Sequence, residues 1–173
     1  ELNQLMKNTA IPYILFLSFI FAISSEAQHL GPCATPGEIS ESLKDYRAQS
    51  GQIQFRSEGD TLYMRMKVHL VGTDLGQGYY GLDKLLESVC KLNEDMIQSG
   101  IYMELDPEIN YIASDRYNDH GFTVGRQMMQ IYNVNGYVNC YIVSNPAEAC
   151  GYYSGQGDAV ALSKSCLGAE NTT

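Results

Sequence analysis

The segment that decides the fold runs from Leu62 to Leu70 and reads LYMRMKVHL. Apolar and polar side chains alternate strictly along it, and successive side chains of a β-strand point to opposite faces of a sheet. One face carries Leu62, Met64, Met66, Val68 and Leu70, and the other carries Tyr63, Arg65, Lys67 and His69. The pattern predicts a half-buried strand, with His69 at the surface or in a second structural layer.

A helix is predicted after this strand, beyond a glycine-rich turn from Gly72 to Gly81. Apolar side chains recur there at helical spacing, and Gly100 is placed to end the helix. These side chains are Leu82, Leu85, Leu86, Val89, Leu92, Met96 and Ile97. Cys90 is on the apolar side of this helix, so we interpret it as a small core residue.

Further strands are predicted at residues 101–105, 109–112, 137–143 and 159–163, with a short helix at 123–132. Asp106 and Pro107 separate the first two of these strands, since proline breaks strand pairing and favours a turn. The order of elements predicts an α/β fold, with a twisted mixed β-sheet and a backing helix.

Composition narrows the class of protein. The 173 residues include 20 acidic and 11 basic side chains, for a net charge of -9. A chain this acidic is poorly suited to neutralising phosphates, so we exclude nucleic acid as a partner. The 45% hydrophobic share is that of a globular protein, with one domain and a short appendage.

The N-terminal region has the sequence pattern of a secretion signal. Residues 1–5 form an upstream extension, and residues 6–27 contain Lys7, an apolar run and the small-residue cleavage pattern Ser25-Glu26-Ala27. A membrane anchor is the alternative, but the run is shorter than the roughly 20 residues that span a bilayer. We therefore expect a secreted protein with no stable membrane insertion after cleavage.

Residues 28–60 form a polar, prosegment-like leader, and residues 61–173 form the main domain. The leader contains one weak amphipathic pattern, formed by Ile39, Leu43 and Tyr46, which predicts a helix beginning near Pro36.

Five cysteines follow the predicted cleavage point, and an odd number leaves at least one without an internal partner. They are Cys33, Cys90, Cys140, Cys150 and Cys166. Cys150 and Cys166 are the favoured pair because they flank a short segment, and closing that loop would contribute about 3 kcal/mol. Cys140 alternates with buried positions of a strand, which suits a core residue, and the full connectivity stays open.

Familiar catalytic motifs are absent from the sequence. It contains no HExxH, GxSxG or P-loop motif, and each of its three histidines is isolated. The segment from Asp74 to Gly78 has too few acidic oxygens for a calcium loop, so we interpret it as a turn. The residues alone predict no complete active site and no metal ligands, and they leave any calcium requirement open.

Eight short segments carry a family resemblance through their order and spacing. They are KVHLV at 67–71, GYY at 78–80, LNED at 92–95, INYI at 109–112, NCYIV at 139–143, CGYY at 150–153, GDAV at 157–160 and LSKSC at 162–166. Together they resemble the secreted pappalysin-type metallopeptidases of the metzincin clan, over most of residues 62–173.

The resemblance implies a metzincin-like N-terminal subdomain that is incomplete at its C-terminus. In such enzymes a helix with the motif HExxHxxGxxH would follow shortly after Asn171-Thr172-Thr173, supplying three zinc ligands and a catalytic glutamate. The implied activity is that of a secreted zinc metalloendopeptidase, which hydrolyses protein or peptide substrates with zinc-activated water. This chain would be its N-terminal fragment, inactive alone.

Cys33 is the candidate latency residue. Its segment, from Gly31 to Pro36, resembles a family prosegment in which a cysteine thiolate fills the open zinc position of the precursor. Ala34 stands where the family segment has glycine. Cys33 would be this chain's one possible zinc ligand, and the alternative is an unpaired leader cysteine or a disulfide partner.

The resemblance also implies a substrate-binding edge strand close to the active-site helix. The candidate residues are Ala159, Val160, Ala161 and Leu162, with Tyr152 and Tyr153 on the cleft rim. Backbone pairing at such an edge accepts many peptide sequences. The alternative for both tyrosines is packing beside the loop that Cys150 and Cys166 would close.

The sequence leaves two functional hypotheses open besides the peptidase. The first is a non-catalytic secreted binding or inhibitory module with a metzincin-like half-domain. The second is a small extracellular structural domain unrelated to proteases. A reading frame that continues past Thr173 into HExxH would distinguish the peptidase from both.

Overall fold

The computed structural model describes residues 34–35, 44–45, 48 and 61–167. The predicted signal peptide, Cys33 and most of the predicted leader with its weak helix lie outside these residues. Within the described part of the chain, no helix is long and apolar enough to cross a membrane.

Eight strands and three α-helices follow one another between residues 61 and 167. The strands are β1 (Leu62–Gly72), β2 (Ile101–Leu105), β3 (Asn110–Ala113), β4 (Asp119–His120), β5 (Val138–Val143), β6 (Asn145–Pro146), β7 (Gly151–Ser154) and β8 (Ala159–Ser163). The helices are α1 (Leu82–Met96), α2 (Asp115–Asn118) and α3 (Phe122–Tyr132), and a 3-10 turn over Ile97–Ser99 follows α1.

Six of the strands form one twisted sheet in the order β2-β1-β5-β8-β7, while β4 and β6 form a separate small pair. Strands β2 and β3 both lie beside β1, where β2 pairs with its first half and β3 with its second. The pairings between β1, β2, β3, β5 and β8 are parallel, whereas β7 runs antiparallel to β8. This arrangement confirms the predicted mixed α/β sheet.

Strand β1 is buried on both faces along its second half. Met66, Val68 and Leu70 pack with Leu85 of α1 in one hydrophobic cluster. On the opposite face, His69 is completely buried, so of its two predicted positions the surface is wrong and a second structural layer is right. The reason is that α3 packs against this face, a contact that the alternation of β1 does not reveal.

Helix α1 is the predicted backing helix, and it begins and ends close to the predicted positions. Gly100 ends the following 3-10 turn in the left-handed conformation, with φ of 65°. Its N–H donates a hydrogen bond to the Ile97 carbonyl. Cys90 is exposed, so its assignment to the core is wrong. Leu82 and Leu86 are each 48% exposed, because the sheet covers a narrower stripe of α1 than the sequence pattern suggests.

Helix α3 covers the other face of the sheet. Its Met128 and Met129 are fully buried against Val71, Tyr141 and Tyr152. The sheet therefore carries one hydrophobic cluster on each face. Strand β7 forms one edge of the sheet, and β2 and β3 together form the other. Because α3 lies over β8 and β7, it also shapes the surface beside the β7 edge.

Candidate functional site

Strand β7 forms the edge of the sheet next to β8, and this corrects the predicted position of the edge strand. Strand β8 pairs with β5 on one side and with β7 on the other, so it lies inside the sheet. The four residues that the sequence placed at the edge are therefore interior: Ala159, Val160, Ala161 and Leu162. Strand β7 was missed because its four residues, GYYS, are too few to show an alternating pattern.

Two residues of the leader contact the outward side of β7. The Ala34 N–H donates to the Gly151 carbonyl at 3.0 Å. The Tyr153 N–H donates to Thr35 Oγ1 at 3.5 Å. The outward backbone groups of β7 thus already bind a second segment of the chain, which follows directly after Cys33 in the sequence.

Tyr152 is 2% exposed and packs on the α3 face of β7, so it does not line an open rim. Its hydroxyl donates to His120 Nε2 at 2.9 Å, while His120 Nδ1 donates to the Tyr117 carbonyl at 2.6 Å. The carbonyl can only accept, which makes Nε2 the acceptor nitrogen. Burial raises the pKa of Tyr152 to about 12 and lowers the pKa of His120. Both side chains are therefore neutral near pH 7, and His120 has no free ring nitrogen.

Tyr153 lies on the opposite face of β7 and is partly exposed. Its hydroxyl donates to Asp158 Oδ1 at 2.9 Å. This geometry holds its ring beside the β7 edge, and Tyr153 stays a candidate for the rim of a peptide-binding cleft.

A disulfide joins Cys150 and Cys166, the pair that the sequence favours. Their Cα atoms are 5.6 Å apart. The Ser163 N–H also donates to the Cys150 carbonyl at 2.8 Å. The start of β7 is therefore fastened to the segment that follows β8.

Lys164 joins several elements at the carboxyl ends of β1, β5 and β8. Its Nζ donates to the carbonyls of Val71 and Gly78, both at 2.6 Å, and to Asn118 Oδ1 at 2.8 Å. Burial lowers the pKa of Lys164 to about 8, whereas these oxygens stabilise its ammonium form. The sequence carries no signal for this arrangement, because the acceptors are distant in the chain.

His69 belongs to a closed network in the middle of the sheet. Its Nε2 lies 3.1 Å from Asn139 Oδ1, and its Nδ1 lies 2.9 Å from Asn110 Nδ2. Its ring stacks on Tyr141 with 4.2 Å between centroids. Burial lowers the pKa of His69, which keeps the imidazole neutral. Both ring nitrogens are engaged, so His69 offers no metal ligand.

A zinc site does not fit the described residues. Nowhere among residues 34–35, 44–45, 48 and 61–167 do three His, Cys, Asp or Glu side chains converge in a way that could hold a metal ion. The two histidines in this part of the chain are both fully hydrogen-bonded. What the site offers is a strand edge, bound here by Ala34 and Thr35, with the neutral, buried hydrogen-bond pair of Tyr152 and His120 behind it.

The sheet order, the backing helix and the antiparallel edge strand define a mixed α/β fold with a mostly parallel sheet. A solved structure of a mutant of promirolysin from Tannerella forsythia, a metzincin of the pappalysin family, is similar to it. The TM-score is 0.51 and the sequence identity is 13%, so the similarity concerns the fold. It covers 77% of this chain and 59% of the promirolysin chain. No family model and no curated protein matches this sequence.

Proposed function

We propose that this chain is the N-terminal part of a secreted zinc metalloendopeptidase that binds extended peptide substrates along β7. The observation that carries the proposal is the edge strand, whose outward Gly151 carbonyl and Tyr153 N–H already bind Ala34 and Thr35. An extended peptide adds to such an edge through main-chain hydrogen bonds. The similarity of the fold to promirolysin supports a peptidase rather than an unrelated structural domain.

Secretion is supported by the Cys150–Cys166 disulfide, since disulfides persist in oxidising compartments. The predicted signal peptide at residues 6–27 agrees with this proposal. The zinc ligands and the catalytic glutamate would come from an HExxHxxGxxH helix beyond Thr173. Half-exposed Leu82 and Leu86 on α1, and Ile97 in the 3-10 turn that follows it, support further polypeptide packing against this subdomain.

The reading frame and the activity of its full product test this proposal. We expect the transcript to continue past Thr173 into HExxH, and the full product to hydrolyse protein substrates until a zinc chelator is added. A stop codon directly after Thr173 would contradict the proposal. So would a continuation without clustered histidines.

Latency is proposed to depend on the leader. Ala34 and Thr35 cover the edge on which a substrate would pair, and Cys33 directly precedes them. In the precursor, the Cys33 thiolate would be a zinc ligand. Replacing Cys33 by Ala in the full-length protein should give peptidase activity without proteolytic processing, whereas Cys90→Ala, at an exposed free cysteine, should not. A Cys33→Ala precursor that stays inactive would argue against the latch.

A non-catalytic secreted binding or inhibitory module is the second candidate function. It is favoured by one observation, namely that His69 and His120 use all their ring nitrogens in hydrogen bonds and provide no base. Such a module would bind extended peptides at β7 and leave them intact. Peptide binding by the full product without chelator-sensitive hydrolysis would identify this function.

A further inference from the structure

A small cavity lies beside β7, between this strand, the turn that follows it and the first half of α3. Its volume is about 130 Å³, and its lining includes Phe122, Arg126, Tyr152, Ser154 and Gln156. The residues from β7 are those whose side chains point to the α3 face. The cavity is therefore distinct from the face on which α1 packs.

Two aromatic rings form one wall of the cavity. The Phe122 and Tyr152 rings meet edge to face, with 5.0 Å between their centroids. Tyr152 is fixed by its hydrogen bond to His120, whereas Phe122 is 41% exposed. This wall is largely apolar, and it suits the methylene groups of a short side chain.

Arg126 gives the cavity a positive charge. Its Nη1 donates to Gln156 Oε1, which is a neutral acceptor. Within the part of the chain that the structure describes, the ion pairs involve lysines, and none neutralises Arg126. A guanidinium presents several N–H donors in a fixed plane that matches a carboxylate. The charge is thus available to an acidic group that enters the cavity.

The cavity lies where a peptide on β7 would direct every second side chain. Side chains of an added strand alternate between the two faces of the sheet, in step with those of β7. On the α3 face, such side chains would lie next to Tyr152 and Ser154, which line the cavity. The backbone contacts of Ala34 and Thr35 support an extended segment along this edge.

We propose that this cavity is a subsite for an acidic side chain of a peptide that pairs with β7, and that Arg126 binds its carboxylate. The proposal rests on the proposed function, because it requires peptide addition at the β7 edge. It adds a preference for glutamate or aspartate at one position of the peptide, which backbone pairing alone would not give.

A peptide-binding measurement on this chain tests the subsite. The probes are acetylated, amidated pentapeptides of valine and threonine with Glu or Gln at one position, tested at each position in turn. The chain carries Ala34→Pro and Thr35→Ala, which together remove the two hydrogen bonds between these leader residues and β7. We expect the best Glu peptide to bind about tenfold more tightly than its Gln partner at low ionic strength, in the range of a charge-assisted hydrogen bond.

Matched variants assign the preference to Arg126. Arg126→Gln should abolish the difference between Glu and Gln peptides, and Gln156→Glu should reduce it by pairing Arg126 internally. Arg116→Gln is the control, because Arg116 also donates to a glutamine, Gln127, but does not line the cavity. It should leave the preference unchanged.

Three results would overturn the subsite. Equal binding of Glu and Gln peptides would remove the acidic preference and leave peptide addition at β7 intact. Loss of the preference in Arg116→Gln would show a general charge effect. Failure of every peptide to bind would overturn both the subsite and the proposed use of the β7 edge.

Discussion

Gly125 shows how one residue adapts α3 to the site. It lies in the middle of α3, where glycine is less favourable than alanine by about 0.5–1 kcal/mol. A Cβ atom at this position would collide with the Tyr152 hydroxyl and lie 2.6 Å from His120 Nε2. The glycine therefore allows α3 to approach the buried tyrosine and histidine pair closely.

Gly125→Ala should destabilise the folded protein by about 3 kcal/mol, because the added methyl group overpacks the interface and disturbs a buried hydrogen bond. Urea unfolding of the oxidised chain measures this change. Gly121→Ala is the control, since nothing lies within 4 Å of a Cβ built there. Equal stability of the Gly125→Ala variant and the wild-type chain would contradict the proposed packing.

The environment of single residues was the least predictable part of the fold. The alternation in β1 predicted which side chains share a face, but it did not reveal that His69 is completely buried. Its partners Asn110 and Asn139 are 41 and 70 positions away along the chain, so no local pattern connects them. The same holds for His120 and Tyr152, which are 32 positions apart.

At the scale of elements, Lys164 links the end of β1, the turn that follows it and α2 through its side-chain hydrogen bonds. Lys164→Met should lower the free energy of unfolding by about 3 kcal/mol, because acceptor oxygens of the buried residues Val71 and Asn118 would lose a charged donor. Lys84→Met, at an exposed position of α1, should change stability by less than about 0.5 kcal/mol. Chemical unfolding of both variants measures the two changes in the free energy of unfolding. A similar decrease for Lys164→Met and Lys84→Met would contradict this role of Lys164.

The disulfide should stabilise the connection between β7 and the segment after β8. Replacing Cys150 and Cys166 together by Ser should reduce stability by about 3 kcal/mol, because the unfolded chain regains the entropy of an open loop. The measurement is the urea midpoint under non-reducing conditions. Cys90→Ser, at an exposed free thiol, should leave the midpoint nearly unchanged. A double variant as stable as this control would disprove the contribution.

Long elements with a clear period were predictable, and short ones were not. Residues 62–70 and 82–97 contain enough repeats to identify β1 and α1. Strand β7 has four residues and β4 and β6 have two each, so their backbone conformation depends on tertiary partners. The family resemblance placed the edge at Ala159 to Leu162 of β8, although β8 pairs with a strand on each side.

At the scale of the whole molecule, the two buried histidines couple stability to pH. Burial lowers the pKa of both below the usual 6.5, with Lys67 lowering that of His69 further and Asp119 opposing the shift of His120. Below pH 6.5 the unfolded chain binds protons that the folded chain excludes. The free energy of unfolding should therefore fall as the pH decreases, by at most about 2.7 kcal/mol per pH unit for two sites.

Urea unfolding between pH 5 and 8 measures this dependence. Stability should be nearly constant above about pH 7 and decrease below about 6.5, where the unfolded histidines become protonated. His69→Gln should make the slope shallower, since one of the two sites is then absent. A slope of zero between pH 6.5 and 5 would show that the folded protein protonates these histidines as readily as the unfolded chain.

The contact between the leader and β7 also bears on self-association. An unpaired sheet margin can recruit strands from other molecules and start ordered aggregates. Ala34 and Thr35 occupy the outward Gly151 and Tyr153 groups, and in doing so they shield one copy from the next. If the leader is removed, as the proposed function requires, the outward groups of β7 become open to neighbouring copies, so the shortened form should be the less soluble of the two at high concentration.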